Sequence, residues 1–459
     1  MDRQLYVFAH IADGDAHRFV PAGRLTLHES AAQQGAQRRL ASEFAYGTRY
    51  LKRAYACEID PVSLSLRDTA ELGGRSLFPA NGLQEFGGIR DAAPDAWGRR
   101  VIEARRKVPA NSLAEADYLL EAGGDRVGAL DVRPHKDSPD SRSASDLQSV
   151  AYLLDAAAAV ESGGPIPAAL LDLLGSACSA GGARPKASVR DDEGGLWLAK
   201  FPARGDRYDM ARAEHCTLQL ARRCALHVPE TRYLDVAGRP VVLVRRFDRF
   251  WAQPGRMPAA ECALIDTRPG PDLQEARLPF VSGLTMLGCE EAESPLKSYA
   301  DLAQAVRRHV LPEEIMANRE ELFARMVFNI FASNDDDHLR NHGFLFDVRC
   351  RGWVLSPLYD VVPRPGIARE RSLHLQVGAQ GKLATLDNAL SQCSAFVSER
   401  SAAMRIIRRI WGEVRQWRTV FEEEGADGRL VEEMGTAFRR LEEIASSELV
   451  RQVRNHVPD

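Results

Sequence analysis

S-N-D-D-D-H-L-R-N-H-G-F-L-F, residues 333–346, sets three aspartates, two histidines and two asparagines between two strongly apolar segments. Upstream, Leu322 to Phe331 is apolar nearly all round, the pattern of a helix buried on every side. Downstream, Gly343 to Phe346 and Trp353-Val354-Leu355 flank a turn through Asp347-Val348-Arg349-Cys350-Arg351-Gly352, the pattern of a β-hairpin. It runs out into Ser356-Pro357-Leu358-Tyr359-Asp360. A buried helix would aim the aspartates rigidly, and the hairpin would return one more carboxylate beside them.

Asp336 precedes Asn341 in a D-x-x-x-x-N spacing. A protein-kinase catalytic loop uses that spacing, its Asp taking the proton of the substrate hydroxyl and its Asn holding a metal ion. Asp360 then occupies the place of the second Mg²⁺ ligand. Taken alone, D-x-x-x-x-N is a short pattern and three adjacent aspartates also suit a solvated turn; the apolar flanks and the second carboxylate favour a Mg²⁺–nucleotide site. His338 and His342 stand four apart, a zinc spacing on a helix, but no H-E-x-x-H is present and Gly343 disfavours a helix there. Bracing the aspartate is the reading they support better.

A second group of signals lies upstream. Ser179-Ala180-Gly181-Gly182-Ala183-Arg184-Pro185-Lys186 is not a Walker A loop, yet its small residues would let backbone N–H groups approach phosphate, with Lys186 or Arg184 adding charge. Ala187 to Arg190 and Leu196 to Phe201 predict a hairpin, and Lys200 sits in its second strand. A helix is expected from about Tyr208 to Leu226. On its apolar stripe of Met210, Thr217, Ala221 and Cys224 stands Glu214, whose carboxylate needs a partner if it faces a core. Lys200 is the natural one; the alternative is a glutamate at the stripe's edge reaching solvent.

The remaining pattern is coarser. At about 150 residues per domain, 459 residues allow two to four domains or two large lobes. Sixty basic against 64 acidic residues exclude a chain whose main task is coating nucleic acid, though not a local basic patch. The apolar run after Met1 is too short for a signal-peptide core, and Asp155 breaks the longest apolar stretch, Ala151 to Val160. Eight scattered cysteines without a C-x-x-C pair suggest reduced thiols and a cytoplasmic setting. Strands are expected at Leu5–Ala9 and Val62–Leu66, and a helix from Pro94 to about Lys107 with Asp91 as its cap. Residues 134–146 read as an exposed loop, 239–247 as a strand, and the proline-rich 252–280 as a long surface loop. Arg-rich amphipathic helices are expected near 401–422 and 428–456.

In this order, the sequence resembles the HipA family of bacterial serine/threonine kinases, toxins of toxin–antitoxin pairs. The matching stretches are F-G-G-I-R-D-A-A-P-D-A-W-G-R (86–99), S-A-G-G-A-R-P-K (179–186), L-A-K-F-P (198–202), R-F-D-R (246–249), N-D-D-D-H-L-R-N-H-G-F-L (334–345) and S-P-L-Y-D-V-V-P (356–363). The resemblance implies Asp336 as catalytic carboxylate, with Asn341 and Asp360 on Mg²⁺. It implies ATP contacts from Lys200, Lys186, Gly181, Gly182, Ala183, Arg184, Glu214, His338 and Asn341, and an adenine hinge from Arg245, Arg246 and Phe247. Ser179 falls on the phosphate-loop serine that members autophosphorylate, where added negative charge would switch the enzyme off. Arg245 replaces the acidic residue common in the hinge, leaving adenine to the backbone.

The expectation is therefore an α/β (α+β), two-lobed kinase-like fold. A β-rich front subdomain would span 1–110, a nucleotide-binding lobe 111–247, and a helical lobe with the catalytic loop 248–459. Its substrate would be a protein hydroxyl, and its partner a small DNA-binding antitoxin that alone reads DNA; no membrane is involved. A small-molecule or lipid-headgroup kinase and a non-catalytic co-repressor are the competing readings. Any direct DNA contact would use Arg405, Arg408, Arg409 and Arg415, which equally suit a solvated helix face.

Overall fold

The computed structural model describes residues 2–29, 40–67, 72–141, 145–146, 150–163 and 182–455. The chain opens with β1 (Asp2–Asp13) and β2 (Ala16–Glu29), an antiparallel hairpin whose two-residue turn places Gly14 at φ +67°. That conformation costs glycine little and matches the twist of the flanking strands. With β3 (Leu40–Tyr46) and β4 (Leu130–Arg133) they form a sheet in the order β3-β2-β1-β4. The front sheet thus takes its last strand from beyond residue 110.

Val62 to Leu66 is a turn rather than the expected strand. The buried Asp60 carboxylate accepts the amide hydrogens of Val62, Ser63 and Leu64, and Glu58 accepts that of Leu66, so no ladder partner is needed. Leu64 and Leu66 still bury their side chains, which is why the apolar pattern resembles a strand. The 86–99 stretch folds as α1 (Gly87–Asp91) and α2 (Ala96–Arg106), followed by α3 (Glu115–Glu121). The cap of α2 is Asp95, accepting from the Gly98 amide at 2.6 Å; Asp91 ends α1 instead and accepts from Ser282 and Thr285.

The second sheet joins β5 (Ser145–Asp146), β6 (Lys186–Arg190), β7 (Leu196–Lys200), β8 (Thr231–Val236) and β9 (Arg239–Arg245) in the order β5-β6-β7-β9-β8. Its β5 lies inside the segment expected to be loop, added parallel to β6. Below the sheet, α4 (Val150–Ser162) shares a core with Trp197, Leu243 and Trp97 of α2, so the front motif is rooted in this lobe. The expected helix near 208–226 is α5 (Met210–Arg223), capped by Asp209, with Glu214, Thr217, Ala221 and Cys224 buried.

Residues 252–280 are not a free loop. Their ends pair as β10 (Arg249–Ala252) and β11 (Gln274–Arg277), and Gln274 exchanges hydrogen bonds with the backbone of His17 in the front hairpin. The prolines interrupt periodicity without preventing this docking. Next, β12 (Phe280–Ser282) pairs with β13 (Gly343–Asp347), which pairs with β14 (Gly352–Leu355).

The helical lobe comprises α6 (Gly283–Leu287), α7 (Tyr299–His309), α8 (Ile315–Ala332), α9 (Leu386–Ser391), α10 (Arg400–Val414) and α11 (Trp417–Glu423). It closes with α12 (Gly428–Glu433), α13 (Leu441–Ile444) and α14 (Ser447–Asn455). The two long terminal helices read from the sequence are therefore five short ones, turning at positions such as Gln416 and Ala445 so that apolar residues from each reach one core. Arg408 is half-buried and donates to the Val453 carbonyl, while Arg405, Arg409 and Arg415 are exposed. Among the described residues no helix is long and apolar enough to cross a membrane.

Candidate active site

From Leu322 to Ala332 every residue of α8 is buried, as its apolar sequence requires. The helix stops at Ser333, in the left-handed region at φ 51°, whose hydroxyl donates to the Ala437 carbonyl. The turn delivers three aspartates to three different tasks. Asp337 points inward and accepts from Tyr299 Oη (2.5 Å), Asn329 Nδ2 (2.7 Å) and His342 Nε2 (3.0 Å). Burial alone would raise its pKa, but His342, Tyr299 and the charge of His338 hold it below the usual carboxylate value. Asp335 and Asp336 point outward and share one cation, Arg364, at 3.0 and 2.9 Å.

Asn341 lies in the short turn after the loop. Its Nδ2 donates to the Asp336 carbonyl at 3.0 Å, which assigns the amide orientation and leaves Oδ1 as its acceptor. His342 braces Asp337 rather than Asp336, and His338 packs edge-on against His374. No group of three metal-ligating side chains is found among the described residues.

The hairpin of β13 and β14 carries Asp360 back to this loop. Arg325 of α8, fully buried, donates to the Ser356 carbonyl at 2.6 Å and fixes the hairpin's exit. Gly343 lets β12 approach: a Cβ there would lie 2.4 Å from the Phe280 ring. Asp360 adopts φ 57°, a region that aspartate tolerates better than most residues. Its Oδ1 accepts from Lys200 Nζ at 2.8 Å, and Lys200 also donates to Glu214 Oε1 at 2.5 Å. One ammonium thus joins β7, α5 and the hairpin. Burial disfavours its charge, but the two carboxylates raise its pKa well above the ordinary lysine value. Asp360 is lowered, chiefly by Lys200 and then Lys186 against its burial, while burial pushes Glu214 up.

Lys186 stands directly opposite Lys200 in the β6–β7 ladder, so both side chains leave the same face. Arg184 is paired with Asp206 at 2.5 Å, and Ala183 is exposed. Ser179 and Gly181 lie outside the described residues. In the stretch expected to form the hinge, the Arg245 amide donates to the Glu230 carbonyl and the Arg246 amide to the Leu196 carbonyl, so both are engaged within the protein. The Arg246 side chain is structural: it forks onto Asp248, which also accepts from Arg249 and the Gly128 amide. Phe247 packs against Tyr359 at 5.4 Å between ring centres.

Several contributors were not singled out from the sequence. Arg364 is one; Tyr299 and Asn329 are others. Arg340 of the 333–342 loop meets Glu291 at 2.9 Å and Asp91 at 3.8 Å, and its carbonyl accepts from Tyr359 Oη at 2.6 Å. Asn329 was legible as the lone amide in an apolar run, since a buried amide needs partners. The rest depend on long-range packing that spacing does not record.

Residues 178–418, just over half of the chain, match the model of the HipA-like C-terminal domain. A Haemophilus influenzae protein named "Putative kinase" is 25% identical over 182 residues, 37% of this chain and 47% of that protein. "Putative kinase Y4mE" of Sinorhizobium fredii is 24% identical over 381 residues, 76% of this chain and 79% of that one. The matched part thus spans about half of the first relative and about four-fifths of the second. Among solved structures, HipA of Shewanella oneidensis MR-1, in a toxin–antitoxin complex with HipB and operator DNA, aligns over 99% of this chain and 100% of its own. The identity is 14% and the TM-score 0.63, a likeness of fold.

Proposed function

Because the chain belongs to the HipA-like C-terminal domain family, we propose that it is an ATP-dependent kinase that phosphorylates serine or threonine on a protein. The observation that carries this reading is Lys200 held between Glu214 and Asp360, at 2.5 and 2.8 Å. The strand lysine and helix glutamate of a kinase small lobe meet a carboxylate arriving from the catalytic lobe.

Mg²⁺ fits the donor set: Asp360 offers a carboxylate and Asn341 an amide oxygen, both hard ligands, and Asn341 is oriented by its bond to Asp336. When bound, the metal supplies charge neutralisation at the triphosphate. Lys200 and Lys186 bind phosphate oxygens. With the amides of Arg245 and Arg246 engaged, adenine meets the backbone at Phe247. The acceptor hydroxyl attacks the γ-phosphorus in line, forming the new O–P bond as the bond to the ADP oxygen breaks. Asp336 takes the hydroxyl proton on its carboxylate, and Asp337 keeps the loop that carries it in place.

By the same family reading, Ser179 is the self-modified position, a small DNA-binding antitoxin is the partner, and DNA is reached through that partner. Intact-mass measurement after incubation with Mg²⁺ and ATP, with peptide mapping, tests the proposal. Gain of phosphate that is lost in Asp336→Asn supports it. Absence of both phosphate gain and nucleotide binding by the wild-type chain overturns it.

A further inference from the structure

The 86–99 stretch is remote in sequence from every residue assigned to nucleotide, yet it reaches the phosphate-facing side of the second sheet. Its Asp95 Oδ2 accepts from Lys186 Nζ at 3.1 Å, with the two side chains only 10% and 4% exposed. Two residues on, Trp97 Nε1 donates to the Lys186 carbonyl at 2.9 Å, and the Trp97 amide donates to the Gly182 carbonyl at 3.4 Å. Gly182 sits at φ +120°, and a Cβ on it would lie 2.5 Å from Lys186 Nζ. The loop backbone therefore closes directly over the ammonium. Asp91 of the same stretch faces Arg340 of the catalytic loop.

We propose that Asp95 is a positioning residue of the nucleotide site, holding the Lys186 ammonium beside Lys200 for the phosphates of ATP. The proposal rests on the assignment of Lys186 to that site. Lys186 stands directly opposite Lys200 across the β6–β7 ladder, which places it within the same cluster. A lysine side chain has four rotatable bonds, and a carboxylate fixed by capping α2 gives its head one direction. The front motif is thereby part of the reaction centre.

The test is calorimetric titration of the full chain with MgATP, using Lys186→Gln, Asp95→Asn and the double variant. Asparagine caps a helix as well as aspartate does, so Asp95→Asn removes the charge while sparing α2. Asp95→Ser, which also caps, replaces it if it does not fold. A charge-assisted contact predicts affinity about tenfold weaker for each single variant. The double variant is then no weaker than Lys186→Gln, and all affinities are compared at a temperature where each variant is folded, because removing one partner of a buried pair lowers the melting temperature. Wild-type or tighter binding by Asp95→Asn, or losses that multiply in the double variant, overturn the proposal. Unchanged affinity in Lys186→Gln removes that lysine from the site and the proposal with it; a weakened Lys186→Gln beside a normal Asp95→Asn refutes only the role of Asp95.

Discussion

Asp336 and Asp337 are neighbours in sequence with opposite surroundings, so their amide variants are expected to fail in opposite ways. The Asp337 carboxylate accepts three hydrogen bonds and is 1% exposed. Hydrogen bonds to a charged group contribute about 1.5–3 kcal/mol each. All three donors converge on Oδ2, so asparagine can keep an oxygen there, but it loses the negative charge that strengthens each bond. A net loss of about 3 kcal/mol is expected for Asp337→Asn, within the ~3–5 kcal/mol seen when one partner of a buried charged pair is removed. At roughly 2–4 °C per kcal/mol for domains of 150–250 residues, that is a visible fall in melting temperature. Asp336, exposed and paired only at the surface, should lose under about 1 kcal/mol as Asn while losing phosphate transfer. Because the folded pKa of Asp337 is lowered, its contribution is complete above the unfolded carboxylate value. It is lost as pH falls through the folded pKa, so the gap between wild type and Asp337→Asn should narrow below about pH 4. Urea or thermal melts of both variants from pH 3 to 7, beside a transfer assay, decide the matter. An Asp337→Asn protein as stable as wild type, or an Asp336→Asn protein equally destabilised, would refute this division of labour.

Lys200→Met leaves Glu214 and Asp360 facing each other without their cation, so both MgATP affinity and melting temperature should fall; an unchanged melting temperature would contradict the bridge. Asp248→Asn abandons two buried guanidinium groups, Arg246 and Arg249, and should cost about 3–5 kcal/mol in chemical denaturation without any direct contact to nucleotide. Gly343→Ala presses a methyl into the Phe280 ring and should cost about 1–3 kcal/mol while lowering transfer through a displaced hairpin; a crystal structure with β12 unmoved would count against that route. Removing divalent cations with EDTA should weaken ATP binding roughly tenfold or more, and equal affinity would take Asp360 and Asn341 out of the metal role.

The parts of the site that could be read from sequence are those whose physics is local. Leu322 to Phe331 was expected to be buried because it is apolar nearly all round, Arg325 and Asn329 excepted, and the hairpin to Asp360 followed from alternation and a turn. Glu214 on an apolar stripe demanded a cation, and its partner proved to be Lys200. Local pattern misled where a side chain replaced the backbone as hydrogen-bond partner. Val62 to Leu66 alternates like a strand, yet Asp60 takes its amides; Asp91 and Asp95 are equally good caps by type, and only packing decides that Asp91 caps nothing and instead holds Ser282. The strut role of Asp337 was invisible because Tyr299 is 38 residues away on another helix.

Of the groups named at the phosphate-facing side, two ammoniums, Lys186 and Lys200, meet three carboxylates, Asp95, Glu214 and Asp360. In these pairs the carboxylates outnumber the ammoniums, unlike an anion site built on a helix N-terminus, where backbone dipoles attract phosphate. Under the proposed function a triphosphate would meet these carboxylates, so it is expected to arrive with cations and not as a bare anion. The same count explains why each lysine keeps a carboxylate of its own. A buried ammonium without a carboxylate partner is costly, and Lys200, itself an ammonium, repels Lys186 rather than holding it. Asp95 supplies an anion to Lys186 from 91 residues upstream, at the start of a helix whose Trp97 shares the core of the same sheet.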